Sequence, residues 1–549
     1  MACALFVALA LPAAAPAARG LTTGFQADEY VSSDPAERSL WIDRTQQAGA
    51  GIVRLSVSWL GVAAGNTPPP DPTNPGSASY NFSQFDQAIR DLEARGITVM
   101  LNVGPPSPPW AEAPGRPASF PPGRWKPQNP QDFADFMQAV AARYSGNFDP
   151  DGPVGPARPL PAVQAVEIWN EPNGEPWMSN EYGGSPDYYR EMLNDSYRAV
   201  KSVNPQMLVV VGATSPYGDP PNGPYPASGG RVYPVTFWEQ VLCVRPVKTK
   251  KKGKKGTSSA AVKYVRTPGC SQPVMFDVFA HHPIDNTGAG PLQSGPTKYD
   301  ASTPDLGRVV QILRGAEKAG TTLSGKHPVW VTEFWWDSNP PNPSGAKLAV
   351  QARWIEQSLY LFWKAGASVA INFMIRDTPA RPTVHAGFQA GIFLMNGKPK
   401  PSFTAFHFPF VTSRTSKTSL QAWGKAPAGG KLLIQRKQHG TWVTIKKLQV
   451  SQGAVFVTKL PGLRGAQRLR ATVAGNQSLI WKQPAIATRS SDGGHPLRYT
   501  LALIGLIALI TLVVVGVVLR RREVSRRRRA GGSRRGRDPA RMITHTPGL

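Results

Sequence analysis

Cysteine is nearly missing from this chain, 3 residues in 549, which excludes a small disulfide-built scaffold. Carboxylates are scarce as well: 35 Asp and Glu stand against 62 Lys and Arg, a formal net charge of +27. An excess of that size suits a nucleic-acid binder, but its distribution argues otherwise. Residues 520–549 hold 11 Arg against two acids, residues 245–266 hold nine cations and no acid, and residues 412–498 hold 15 cations against one acid. The remainder is mildly acidic, so no phosphate-tracking groove and no nucleic-acid partner are expected there. The basic segments are peripheral, and anionic lipid or an envelope polymer is their expected partner, anionic lipid at the tail above all. Metal-ligand spacing is also missing, since His281-His282 has no partners at the separations zinc needs. Glycine pairs such as Gly229-Gly230 do not link a strand to a helix in a phosphate-binding pattern, so neither metal nor cofactor is expected.

Charge is absent from Tyr499–Leu519. Its length as a helix, about 31 Å, matches a bilayer core of about 30 Å, so a transmembrane helix is expected there. The Arg-rich side beyond it belongs in the cytoplasm by the positive-inside rule, which places the rest of the mature chain outside the cell. At the other end, the apolar run Ala4–Leu11 and the small residues Ala13–Ala18 fit a secretory signal over residues 1–18, although no Lys or Arg precedes the run. The expected organisation is a signal at 1–18, a large domain at 19–411, a small β domain at 412–487, a connector at 488–498, the membrane span at 499–519 and a basic cytoplasmic tail at 520–549. This is a single-pass cell-membrane protein with its main domain extracellular.

Within 19–411, apolar strand patterns alternate with helix signals. Strands are expected at Thr22–Gln26, 51–59, 97–103, 165–171, 207–212, 276–282, 329–336 and 367–373. Asp34-Pro35, Asn129-Pro130, Ser185-Pro186 and Thr303-Pro304 place an N-cap or a first-turn proline at helix starts. Ser83 with Asp86 resembles a capping box. Eight strand–helix units with strands apolar on both faces predict an α/β fold, a (β/α)8 TIM barrel. Residues 412–487 carry short alternating runs and predict an all-β sandwich, either a spacer or a sugar- or wall-binding module. The run Lys248–Ser259 is too charged to form a core and is expected to be a mobile surface loop. Cys243 and Cys270 flank it and are expected to form one disulfide in an oxidising exterior, the alternative being two unpaired thiols.

The stretch Ala165-Val-Glu-Ile-Trp-Asn-Glu-Pro-Asn173 organises the chain. The residue before proline favours extended backbone, so Glu171 is expected at the last extended position of its strand. Val329-Trp-Val-Thr-Glu-Phe-Trp-Trp336 delivers a second carboxylate, Glu333, in the same way. Parallel α/β folds place their chemistry at such strand ends. Two carboxylates facing one cleft suit acetal hydrolysis: one gives a proton to the leaving oxygen and the other attacks or stabilises the oxocarbenium-like centre. The structural alternative makes both glutamates partners of buried Arg or Lys.

With Trp169-Asn170-Glu171-Pro172-Asn173 and Thr332-Glu333-Phe334, residues 22–411 resemble clan A glycoside hydrolases of the cellulase-like and β-xylosidase-like families. The resemblance implies a retaining double displacement on a β-linked carbohydrate, with Glu171 as acid/base and Glu333 as nucleophile. It further implies that Asn170 binds the sugar 2-hydroxyl, that Arg54 holds Glu333 ionised, and that His282 contacts substrate or nucleophile. Two positions depart from the family pattern: Ile284 stands where many relatives have tyrosine, and Asn372-Phe373-Met374 lacks the usual strand-eight tryptophan. Trp110, Trp177, Trp335 and Trp336 are candidate stacking faces for sugar rings, with Trp110 and Trp335 taken as substrate-binding. A catalytically silent carbohydrate-binding protein and an envelope-remodelling transglycosidase remain alternatives to a hydrolase.

Overall fold

The computed structural model describes residues 18–485, except 119, 153–155, 175, 180–184, 220–229, 253–257, 271, 286–287 and 380–387. The expected signal, connector, membrane span and tail therefore lie outside the described residues, apart from Ala18. Among the described residues, no helix is long and apolar enough to cross a membrane.

Eight parallel strands alternate with helices: β1 (Thr22–Gln26), α1 (Pro35–Gln47), β2 (Ile52–Ser58), α2 (Ser83–Glu93), β3 (Thr98–Gly104), α3 (Pro130–Arg143), β4 (Ala165–Ile168) and α4 (Ser185–Val203). They continue as β5 (Leu208–Val211), α5 (Pro234–Val241), β6 (Phe279–His281), α6 (Leu306–Ala319), β7 (Val329–Phe334), α7 (Leu348–Ala365), β8 (Ala367–Phe373) and α8 (Pro401–His407). Neighbouring strands pair in sequence order from β1 to β5, and β8 pairs with β1 on one side and β7 on the other. Bridges from Val210 to Val278 and from Thr214 to His281 join the β5 and β6 edges and complete the ring. This is a TIM barrel, and the C-terminal ends of all its strands open on one face.

Local chemistry explains the helix starts. Asp34 accepts from the amide of Ala36 at 2.8 Å and Asn129 from that of Gln131 at 3.0 Å, each with proline as first helical residue. The capping box does not form. Ser83 is already helical, with Phe82 at the N-cap. Asp86 turns away to take Arg143 Nε at 2.9 Å and the Tyr144 hydroxyl at 3.0 Å, because a buried guanidinium demands a counter-charge that a helix amide does not.

The lysine-rich segment is not the expected loop. Val244–Lys252 and Ser258–Arg266 pair as an antiparallel hairpin, whose register sets each lysine opposite an uncharged residue, from Lys248 with Val262 to Lys252 with Ser258, so that no like charges stand directly opposed. Cys243 and Cys270 are joined at its base, their Cα atoms 6.0 Å apart.

Beyond the barrel come β9 (Phe410–Arg414), β10 (Ser419–Lys425), β11 (Gly430–Gln438), β12 (Thr441–Val450), β13 (Val455–Pro461) and β14 (Gln467–Val473). They form two antiparallel sheets, one of β9, β10 and β13, the other built on β11, β12 and β14. Alternate residues Leu432, Ile434, Leu469 and Ala471 are buried, as two-sheet packing requires. These sheets share one compact unit with the barrel. Trp423 meets Tyr360 and Trp363 of α7, and Lys425 reaches into the base of the barrel to Thr23 Oγ1 at 2.9 Å and the carbonyl of Gly49 at 3.0 Å.

Candidate active site

At the end of β4 the chain departs from extended geometry. Trp169 and Glu171 have φ of 72° and 44°, left-handed values that cost a residue with a β-carbon about 1–3 kcal/mol each. The expectation of an extended Glu171 is thus incorrect, and tertiary hydrogen bonds override the preference imposed by Pro172. The amide of Trp169 donates to Val103 O at 2.8 Å and that of Glu171 to Ala213 O at 3.0 Å. Asn102 Nδ2 donates to Trp169 O at 2.9 Å, and the Trp169 indole donates to Trp177 O at 2.9 Å. Neighbouring strands therefore fix the turn that aims Glu171. Gly212 is required beside it, because a β-carbon there would stand 2.3 Å from Ile168 O.

Glu171 and Glu333 line one cleft of about 320 Å³ at the strand ends, together with Asn102, Asn170, Trp177 and Phe373. Their carboxylates are held differently. Glu171 accepts from the Trp177 indole at 3.0 Å and lies 3.0 Å from His282 Nδ1. Glu333 Oε2 lies 3.5 Å from an Arg54 terminal nitrogen. Burial pushes the Glu333 carboxyl above its ordinary value against the pull of His282 and Arg54, while Glu171 and Glu167 add to the upward push.

Arg54 is the hub. Its Nε donates to Glu167 at 2.7 Å, one terminal nitrogen to Asn170 Oδ1 at 2.9 Å, and the other to Gln26 Oε1. Glu167 is a site residue that the sequence reading passed over. It is fully buried in β4 and also accepts from the Thr332 hydroxyl at 2.8 Å. A carboxylate inside an otherwise apolar strand was the signal for it.

His282 Nδ1 lies against Glu171, the acid/base candidate, and the same side chain also acts electrostatically on Glu333, the nucleophile candidate; its backbone amide donates to Thr214 O at 3.1 Å. His281 is structural: the Thr214 hydroxyl donates to Nδ1 at 2.9 Å, Nε2–H donates to Ala301 O at 2.6 Å, and burial lowers its pKa to about 3. Trp110 lies edge-on to Trp59, with ring centroids 5.5 Å apart, and is not among the described residues that line the cleft. Trp335 also stands outside that lining and packs edge-on against Phe388, which does line it. Trp336 donates to Ser358 Oγ at 3.1 Å and is part of the core. Phe373 is the aromatic at the place where tryptophan was expected, and Ile284 is buried. Among the described residues, no group of three His, Cys, Asp or Glu could hold a metal ion.

A TIM barrel that brings two glutamates from the ends of β4 and β7 into one cleft has the architecture of a glycoside hydrolase. The sequence model of the cellulase family, glycosyl hydrolase family 5, matches residues 18–339, more than half of the chain, and the chain belongs to that family. No curated protein matches the sequence. Among solved structures, a family 39 glycoside hydrolase from Bacteroides cellulosilyticus WH2 is 17% identical, with a TM-score of 0.45 and 81% of each chain covered. A glucosidase from Croceicoccus marinus is 13% identical, with a TM-score of 0.45 over 81% of this chain and 96% of that one. GH5_18 from Streptomyces cattleya, solved with GlcNAc, is 14% identical, with a TM-score of 0.43 over 71% and 79%. Likenesses this distant add nothing to the assignment, which rests on the family match.

Proposed function

We propose that the protein is a retaining hydrolase of β-linked glycosides, working outside the cell by double displacement. The observation that carries the reading is that Glu171 and Glu333 line one cleft in unlike surroundings. His282 and Arg54 both favour the ionised form of Glu333, as a nucleophile requires. Glu333 attacks the anomeric carbon while Glu171 gives its proton to the departing oxygen. Glu171, now a base, takes a proton from water, whose oxygen displaces Glu333 and restores both groups. Asn170 gives its Oδ1 to Arg54, leaving the Nδ2 donors for a sugar hydroxyl. Trp177 and His282 keep the Glu171 carboxyl from rotating away between the two steps. The uncharged run 499–519 is the proposed anchor, with the basic tail on the cytoplasmic side against anionic lipid. The Cys243–Cys270 bond fits an oxidising exterior.

The test is incubation with 2-fluoro activated β-glycosides followed by peptide mass spectrometry. A covalent sugar on Glu333 is expected. Turnover of the parent glycoside with no adduct on Glu333 overturns the assigned roles, and no turnover across a broad panel overturns the hydrolase reading.

A further inference from the structure

The sheets after the barrel carry a charge distribution that folding does not need. Residues 410–485 contain 13 Lys and Arg and no Asp or Glu. The ion pairs among the described residues all lie before this segment, from Arg38–Asp91 to Lys400–Asp377. Leu432 and Ile434 of β11 are buried, so Lys431, Leu433, Gln435 and Lys437 share the opposite, outer face. The register carries that face across the sheet. Lys437 is opposite Trp442, Leu433 opposite Lys447, and Gln435 opposite both Thr444 and Arg470. Arg468 lies directly opposite Lys482. Like charges in direct opposition destabilise a sheet, and among the described residues no ion pair offsets them here. The arrangement gains its compensation only when an anion covers the face.

We infer that this outer face is a docking surface for an anionic polysaccharide, a linear glycan with carboxylate or phosphate groups along its length. The cations stand on β12, β11, β14 and the short strand Trp481–Gln483 that pairs with β14, about 14 Å across at the usual strand spacing, which suits a polymer of repeated charge lying across them. Gln435 and Thr444 stand between the cations and supply groups for sugar hydroxyls. The choice of glycan rests on the glycosidase reading of the barrel, with which these sheets share one compact unit. Trp442 is the aromatic of this face. Arg470 lies over its ring, 4.2 Å from the centroid, and is itself held by Gln435 at 2.8 Å and by Gln477. That side of the ring is closed to a stacking base, which weighs against a single-stranded nucleic acid.

The test uses the full-length protein and its Lys431→Gln, Lys447→Gln, Arg468→Gln variant, three exposed positions outside the cleft. Binding is measured to polygalacturonate, hydroxyethyl cellulose, phosphatidylglycerol vesicles and duplex DNA. Wild type is expected to hold polygalacturonate more tightly than hydroxyethyl cellulose or DNA. The triple variant, or about 0.5 M salt with the wild type, should weaken that binding about tenfold or more, and the triple variant should leave vesicle binding, which residues 499–549 are proposed to supply, unchanged. Equal affinity for the neutral polymer, tighter binding to DNA, an equal loss of vesicle binding in the triple variant, or retention that salt does not weaken overturns the inference. Turnover of a small neutral aryl glycoside is followed in parallel and should be the same in both proteins. Its absence from the wild type sinks the glycosidase reading while the binding comparison still decides whether the face takes acidic polymer.

Discussion

Arg54 Nε lies 2.7 Å from Glu167 Oε2, and both side chains are closed to solvent, at 1% and 0% exposure. This pair lets a buried guanidinium serve the cleft: Glu167 neutralises it from beneath, and its two terminal nitrogens are left to reach Glu333 and Asn170. Removing one member strands a charge in the barrel. Glu167→Leu should therefore cost about 3–5 kcal/mol in urea unfolding. The double variant Arg54→Met, Glu167→Leu should recover most of that stability and none of the turnover. Equal stability of the single and double variants would refute the charge-balance account.

Glu333 supplies the pH dependence. Burial, ahead of the repulsion from Glu171 and Glu167, raises its carboxyl, so the acidic limb of kcat/KM should lie above the ordinary carboxylate range. His282 and, after it, Arg54 pull that value down, so Arg54→Gln should move the limb to higher pH. The stability sign runs with it. A carboxyl raised in the folded state stabilises below its unfolded value and loses that contribution as pH rises through the folded value. Glu333→Gln should therefore gain stability relative to wild type on going from acidic to neutral pH, measured by thermal melting. An acidic limb that stays in place in Arg54→Gln counts against Arg54 as the controlling cation.

Glu171 is tested through the leaving group. Glu171→Gln keeps the carboxamide within reach of Trp177 and His282 but has no proton to give. Glycosides with poor leaving groups should lose about 10²–10⁴-fold in kcat, and those with good leaving groups much less in the first step. A uniform loss across a leaving-group series would remove Glu171 from the acid role.

Much of this was legible in the sequence because strand patterns and cap residues are local signals. Asp34-Pro35 and Asn129-Pro130 start the helices they announce, and the paired glutamate motifs reach the same cleft. What was not legible depends on partners distant along the chain. Asp86 answers Arg143, 57 residues away, and so leaves its predicted cap. Glu171 is twisted out of extended backbone by amides and carbonyls of β3 and the segment after β5, which no local proline rule contains. Trp110 looks like a sugar platform in isolation, and only the fold sets it against Trp59. Glu167 was visible as an odd residue in an apolar strand, but its use needs Arg54 beside it.

The Cys243–Cys270 bond closes 27 residues of sequence separation, including the lysine-rich hairpin. Loop-closure entropy predicts about 3.5 kcal/mol of stabilisation at that length. Because neither cysteine lines the cleft, Cys243→Ser with Cys270→Ser should lower the melting temperature and leave kcat within about twofold. A large loss of kcat at a temperature where the variant is folded would show that the hairpin base communicates with the site.

Lys425 tests how the following sheets are seated on the barrel. Its ammonium is buried between Thr23 and the Gly49 carbonyl, and burial lowers its pKa from 10.5 to about 8. A base lowered on folding binds fewer protons in the native state than in the unfolded chain. Stability should therefore rise with pH between about 8 and 10.5, by about 3 kcal/mol at most from this group. Lys425→Met keeps the length of the side chain and removes the titration. The difference between wild type and variant, followed by urea unfolding at several pH values, should narrow in favour of the wild type across that window. A difference that stays constant with pH would mean that the ammonium is solvated and the barrel base is open there.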